Sequence, residues 1–152
     1  MRIEMSWDPS EFLKGLNKAN EIVLKALEKG MAIAMLSLLG DCINEVPTVP
    51  LKEGWLRGSG SVFVSNNNIG TSETMPTAKP KFALLSFSES IPDDETVGVI
   101  GFNAPYASKM HEGVDYHFSE PSAGPKFLET KMHVNKVRYL KIVAEEVKKE
   151  LK

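Results

Sequence analysis

Pro105-Tyr106-Ala107-Ser108-Lys109-Met110-His111-Glu112-Gly113 stands between an apolar run, Val97-Gly98-Val99-Ile100-Gly101-Phe102, and a second marked segment, Gly124-Pro125-Lys126-Phe127-Leu128-Glu129. An apolar run, a Pro, a short amphipathic piece and a closing Gly predict a strand, a turn, one or two helical turns and a stop. The junction therefore joins a sheet to a helical layer, and an α+β fold is expected around it.

On the C-terminal side, Pro125 is suited to open a helix. Phe127, Leu128, Met132, Val137, Leu140, Val143, Val147 and Leu151 then fall on one helical face. On the N-terminal side, residues 82–87 and 97–102 read as two strands separated by the turn Ile91-Pro92-Asp93-Asp94-Glu95-Thr96. Such short connections favour antiparallel pairing. Residues 65–81 are polar, with Asn66-Asn67-Asn68, Gly70, Pro76 and Pro80, and predict a long loop able to order against a neighbouring ring. Before it, Val62-Phe63-Val64 follows a Gly-rich run in which Trp55 and Leu56 are apolar anchors.

Farther upstream, Asp8-Pro9-Ser10-Glu11 has the pattern of a helix start, with a cap, a first-turn Pro and a capping-box Glu. Apolar residues at Phe12, Leu16, Ala19, Val23 and Ala26 continue the pattern. Residues 31–39 are apolar except for Ser37, which predicts cover on most sides. A helix from Pro9 to about Glu45 would be roughly 55 Å long at 1.5 Å per residue, with Gly30 as a candidate break. Val46-Pro47-Thr48-Val49-Pro50 ends it.

Bulk properties narrow the functional classes. With 152 residues, 42% hydrophobic and 25% charged, the chain suits one globular domain, 1–152. A net charge of −2 lacks the footprint of a general nucleic-acid binder. Cys42 is alone, so no intrachain disulfide is expected. Glu4 and Asp8 interrupt the N-terminal stretch where a signal peptide needs an apolar core, and no apolar run approaches membrane length. The expectation is a soluble protein made in the cytosol. The acids Glu89, Asp93, Asp94, Glu95, Glu112, Asp115 and Glu120 cluster in the middle of the chain, and cations dominate from Lys126 onward. Complementary patches on adjacent subunits would use such an asymmetry.

Chemistry-bearing groups are few. His111-Glu112 with His117 and His133 invites comparison with zinc hydrolases, which place two His four residues apart on one helix. Here the second His follows six residues after the first, across Gly113, so the two cannot share a helix face. Gly58-Ser59-Gly60 lacks the wider pattern of a nucleophile elbow, and no Walker or dinucleotide motif is present. The expectation is a protein that is not an enzyme and needs no cofactor. Arg57, flanked by Leu56 and a Gly-rich run, is expected to be paired; Glu112 is the expected carboxylate, with Glu129 as substitute.

Taken in order, Gly54-Trp55-Leu56-Arg57-Gly58-Ser59, Tyr106-Ala107-Ser108-Lys109-Met110-His111-Glu112-Gly113 and Pro125-Lys126-Phe127-Leu128 resemble three elements of a phage family. It is the tail-completion or head–tail connector family of tailed bacteriophages, also known as minor capsid or tail-component proteins. The likeness extends over essentially the whole chain. It implies helices packed on a mostly antiparallel sheet. It further implies a ring, commonly a hexamer, that sits in the virion at the head–tail joint after assembly in the host cytoplasm. The implied neighbours are a connector or stopper protein and a tail-tube or tail-terminator protein, with DNA only passing through the lumen and no membrane involved. Trp55, Leu56, Arg57, Ser59, Tyr106, Ala107, His111, Glu112, Gly113, Pro125, Phe127 and Leu128 are the implied structural and interface positions. Two other classes stay open: a metal-dependent hydrolase on His111, Glu112 and His117, and a prophage-encoded binding protein that forms no ring.

Overall fold

Four short strands form an antiparallel sheet in the computed structural model, which describes residues 2–7, 21–93 and 95–151. They are β1 (Ile3–Trp7), β2 (Gly60–Val64), β3 (Asn67–Thr71) and β4 (Gly98–Phe102), ordered β1-β4-β2-β3. The helices are α1 (Glu21–Asn44), α2 (Ala107–Glu112), α3 (Phe127–Val134) and α4 (Lys136–Glu150). The α+β class expected from the sequence is the class observed, with a long N-terminal and a C-terminal helix beside the sheet.

β2 and β4 are buried at every residue because both faces of the sheet are covered. Val62, Val64, Ile100 and Phe102 join the core under α1, with Met31, Met35, Leu38 and Leu39. Phe63 and Val99 point the other way, as the two-residue period of a strand requires, and are covered by Leu85, Phe87 and Val97. Residues 82–87, expected as a strand, are thus an extended cover over this second face and join no ladder. Their backbone is held by side chains instead. Asn103 Nδ2 donates to Ala83 O at 2.7 Å, and Asn66 exchanges two hydrogen bonds with the Glu89 backbone at 2.7 and 3.0 Å.

Two further expectations are corrected. The 65–81 region is not one long loop, because β3 lies inside it. Ser65 and Asn66 both have positive φ, 46° and 69°, the conformation of a type I′ hairpin turn, which returns the chain alongside β2. The N-terminal residues begin with β1, an edge strand paired to β4 in the register Ile3↔Phe102 to Trp7↔Gly98. The predicted helix start at Asp8-Pro9 lies outside the described residues.

α1 passes through Gly30 without a break. Its apolar half is covered on two sides, by the sheet and by α4, while Ile33 and Leu36 stay 39% and 37% exposed. The expected single C-terminal helix is two helices meeting at Asn135. The break resets the helical phase, so Val137, expected on the buried face, is 78% exposed, and Tyr139 takes the buried position. Tyr139 Oη donates to Asp41 Oδ2 at 2.5 Å, and Arg138 also pairs with Asp41, which fastens α4 to the end of α1.

Two glycines of α1 give opposite predictions. A Cβ on Gly40 meets nothing within 4 Å, so Gly40→Ala is expected to gain up to about 1 kcal/mol from helix propensity. A Cβ on Gly30 would lie 2.8 Å from the Val143 Cα, a backbone atom that cannot rotate aside. Forcing α1 and α4 apart costs roughly 1–3 kcal/mol, which outweighs the propensity gain, so Gly30→Ala destabilises. Urea unfolding of the two variants checks both signs.

Candidate functional site

The three sequence elements of the resemblance meet at one corner, where the start of β2, the end of β4 and the start of α3 come together. Trp55 and Tyr106 each stack edge-on against Phe82, at ring separations of 6.4 and 6.1 Å. Ala107 is fully buried, and Phe127 packs edge-on against Phe102 at 5.6 Å. Leu56 and Leu128 are also in the core. Ser59 Oγ donates to Leu56 O at 2.8 Å and closes the 3-10 turn Arg57–Ser59.

Arg57 is 7% exposed and its guanidinium is used in full. Nε donates to Val49 O at 2.8 Å, Nη1 to Thr77 Oγ1 at 2.7 Å and Nη2 to Glu120 Oε2 at 2.9 Å. Arg57 is therefore paired, as expected, but Glu120 and not Glu112 or Glu129 is its carboxylate. The reason lies in the 113–125 loop. Thr48 N donates to Ser122 O at 2.8 Å, and Thr48 forms a parallel bridge with Ala123, which lays the loop across the 48–50 segment and brings Glu120 to Arg57. Gly54, with φ +82°, lets the 54–58 turn approach residue 77: a Cβ there would lie 2.2 Å from Thr77 O. The region expected to wait for a neighbouring ring is thus held within the subunit at Thr77.

Glu112 belongs to a second cluster. Lys126 Nζ bonds to Glu112 Oε2 and lies 3.0 Å from Glu129 Oε2. His111, 2% exposed, shares a hydrogen bond of 2.8 Å between Nδ1 and Glu112 Oε1. Its Nε2 accepts from Glu129 N–H at 3.3 Å, and its ring meets Phe127 edge-on at 4.9 Å. This arrangement requires the proton on Nδ1 and a lone pair on Nε2. The Lys126 ammonium and the His111 Nδ1–H hold the Glu112 carboxyl below its ordinary value, and the two carboxylates raise Lys126.

The same cluster bears on the metal reading. His111, Glu112 and Glu129 bring ligand atoms within 4.8 Å of one another. Both His111 nitrogens are already engaged, and Lys126 supplies the positive charge between the carboxylates. The expected ligands His117 and His133 are exposed elsewhere, and neither belongs to the group. His133 lines a shallow cleft with Met5, Met132 and Tyr139. Cys42 is fully buried and its thiol is pushed up by burial, so it has no thiolate character to offer.

One feature escaped sequence reasoning: an open cleft of about 280 Å³ lined by Pro50, Leu51, Trp55, Tyr106 and Met110, with Lys52 and Glu53 at its edge. Lys81 Nζ sits 3.2 Å above the Trp55 ring, a cation–π contact. The clustering of Pro50, Trp55 and Tyr106 could have been noticed, but their convergence depends on the strand pairing. No family model, curated protein or solved structure matches this chain.

Two measurements probe the corner. Arg57→Met is expected to lose about 2–3 kcal/mol in urea unfolding, below the 3–5 kcal/mol of a fully buried pair because Glu120 reaches water. Glu120→Gln should lose less, since Val49 and Thr77 still receive the guanidinium. The Glu112 cluster should appear as a pH dependence. With its folded carboxyl below the unfolded value, Glu112 stabilises the fold above the ordinary 4.5, and this contribution is lost as pH falls through the depressed value. Stability of Glu112→Gln should therefore fall less on acidification than that of the wild type.

Proposed function

We propose that this chain is a structural virion protein of a tailed phage or prophage, a ring subunit of the tail-completion or neck-connector type that joins connector to tail tube. One observation carries the reading. The segments 54–59, 106–113 and 125–128, which resemble the family in order and spacing, pack on one another in a single corner. Their polar groups serve that packing: Arg57 is taken up by Val49, Thr77 and Glu120, and His111 by Glu112 and the α3 backbone. Every group that the hydrolase reading would enlist at His111 and Glu112 already has a structural partner.

In this role the subunit performs no covalent chemistry. Head-to-tail contacts between two different patches close a ring when their rotation divides a full turn, and the resemblance makes six subunits the expected number. The free energy of the joint comes from subunit and partner interfaces. DNA passes through the lumen, and a net charge of −2 keeps the nonspecific grip on phosphate weak. No helix among the described residues is long and apolar enough to cross a membrane.

The test is to remove the gene from its phage and examine the lysate. Filled heads and finished tails should accumulate unjoined, and the purified protein added back should restore joining. Normal virions from the deletion would overturn the proposal.

A further inference from the structure

Charge distribution and shape together point to the contact by which copies of this chain meet. This inference rests on the ring reading and specifies its interface.

The excess of cations from residue 126 onward is largely consumed within the subunit. Lys126 pairs with Glu112 and Glu129, Arg138 with Asp41 and Lys149 with Glu146, while Lys131 is buried and donates to Pro47 O at 2.8 Å. Of the central acids, Glu112 and Glu120 are consumed in the same way. What stays outward is concentrated elsewhere. Glu89, Asp93 and Glu95 are exposed and enter no ion pair among the described residues, and Asp94 adjoins them in sequence. No Lys or Arg occurs between Lys81 and Lys109. Within this acidic turn, Ile91 and Pro92 form a small apolar tip.

The complementary surface is the aromatic cleft. Pro50, Leu51, Trp55, Tyr106 and Met110 give it an apolar floor. Lys52, Lys79 and Lys81 are exposed around it, and none of them forms an ion pair among the described residues. Lys79 is fixed there because its N–H donates to Gly54 O at 2.9 Å. Glu53 is the single acid of the lining.

The two surfaces lie at opposite ends of the sheet. Phe82 packs on Trp55 and Tyr106, beside the start of β2 and the end of β4. The covering segment then crosses the sheet face, and Glu89 bonds to Asn66 in the turn after β2. A subunit with its acidic tip at one end and its basic aromatic cleft at the other cannot satisfy itself. It can satisfy a neighbour, and its own cleft then remains for the next.

We propose that the cleft of one copy receives the 89–95 turn of the next. Ile91 and Pro92 would enter the apolar floor, and Glu89, Asp93, Asp94 and Glu95 would face Lys52, Lys79 and Lys81. An apolar floor with an acid in its lining suits an acidic-apolar peptide better than a nucleic-acid backbone.

Charge reversal with mixing tests it. K52E/K79E/K81E and E89K/D93K/E95K each place like charges at the contact, and all six positions are exposed, so the fold is retained. Each variant alone should associate at least about tenfold more weakly than wild type in sedimentation velocity. The equimolar mixture should regain assembly, because each variant then offers the surface that the other needs. In parallel, K79C and D93C proteins mixed under oxidation should form a mixed disulfide dimer, with the buried Cys42 unreactive.

If the wild type forms rings and neither reversal affects them, this contact is wrong while the ring reading stands. A wild type that stays monomeric at every concentration overturns both. A monomer that binds a single-stranded oligonucleotide through the three lysines overturns the contact in favour of a nucleic-acid surface.

Discussion

A guanidinium carried into a protein interior loses several kcal/mol of hydration and recovers it only if every donor finds an acceptor in good geometry. Arg57 meets that condition with groups from segments that are distant in sequence: Val49 before it, Thr77 after the β2–β3 hairpin, and Glu120 in the loop between α2 and α3. No two of these can be placed independently. The 48–50 segment is fixed by its bridge to Ala123, the Glu120 loop by the same bridge, and Thr77 by the close approach of Gly54. The corner therefore forms as a unit around one charge, and the elements on either side inherit their positions from it.

That dependence explains which parts of the fold could be read in advance. Where a segment carried its own periodicity and stop signals, the reading held: α1 through its apolar stripe, β4 through its apolar run, α2 through Pro105 and Gly113. Residues 82–87 were rightly taken as apolar and extended, yet they cover a sheet face, because burial of Leu85 and Phe87 on Phe63 and Val99 does not require a ladder. β3, Asn67-Asn68-Ile69-Gly70-Thr71, carries almost no apolar pattern, and its place is set by the left-handed turn at Ser65-Asn66. β1 did alternate, with Ile3, Met5 and Trp7, but five residues beside a stronger helix-start signal were overlooked. The break at Asn135 was hidden because the apolar stripe continues across it. The partner of Arg57 was not legible at all, since it depends on where an irregular loop is laid down.

The charges show the same difference between sequence and space. Counted along the chain, the C-terminal region looks like a basic face. Counted in space, half of its cations are spent on holding α3 and α4 to α1 and α2, and Lys131 is fully enclosed. Burial lowers the basicity of Lys131. Outward charge is then found where residues have no internal task, on the lysines around the aromatic cleft and the acids of the 89–95 turn. A linear charge tally identifies asymmetry, but only packing decides which charges remain for another molecule.

His111-Glu112, the pair that first suggested chemistry, has its clearest account in helix termini. The first amides of any helix lack intrahelical acceptors and need a cap from outside. α3 has no side-chain cap of its own: Lys126, at its N-cap, adopts φ +56°, a left-handed conformation that costs a non-glycine residue about 1–2 kcal/mol. His111 supplies what is missing, since its Nε2 accepts the Glu129 N–H of the third helical position and its carbonyl accepts Lys126 N–H at 2.7 Å. Glu112 fixes the tautomer through Nδ1 and draws the Lys126 ammonium over the joint. A histidine and a glutamate in sequence thus act as a cap delivered from one helix to the next. That is why the His at this place needs a carboxylate beside it and a lysine fourteen residues after that carboxylate, and needs no second histidine on the same face.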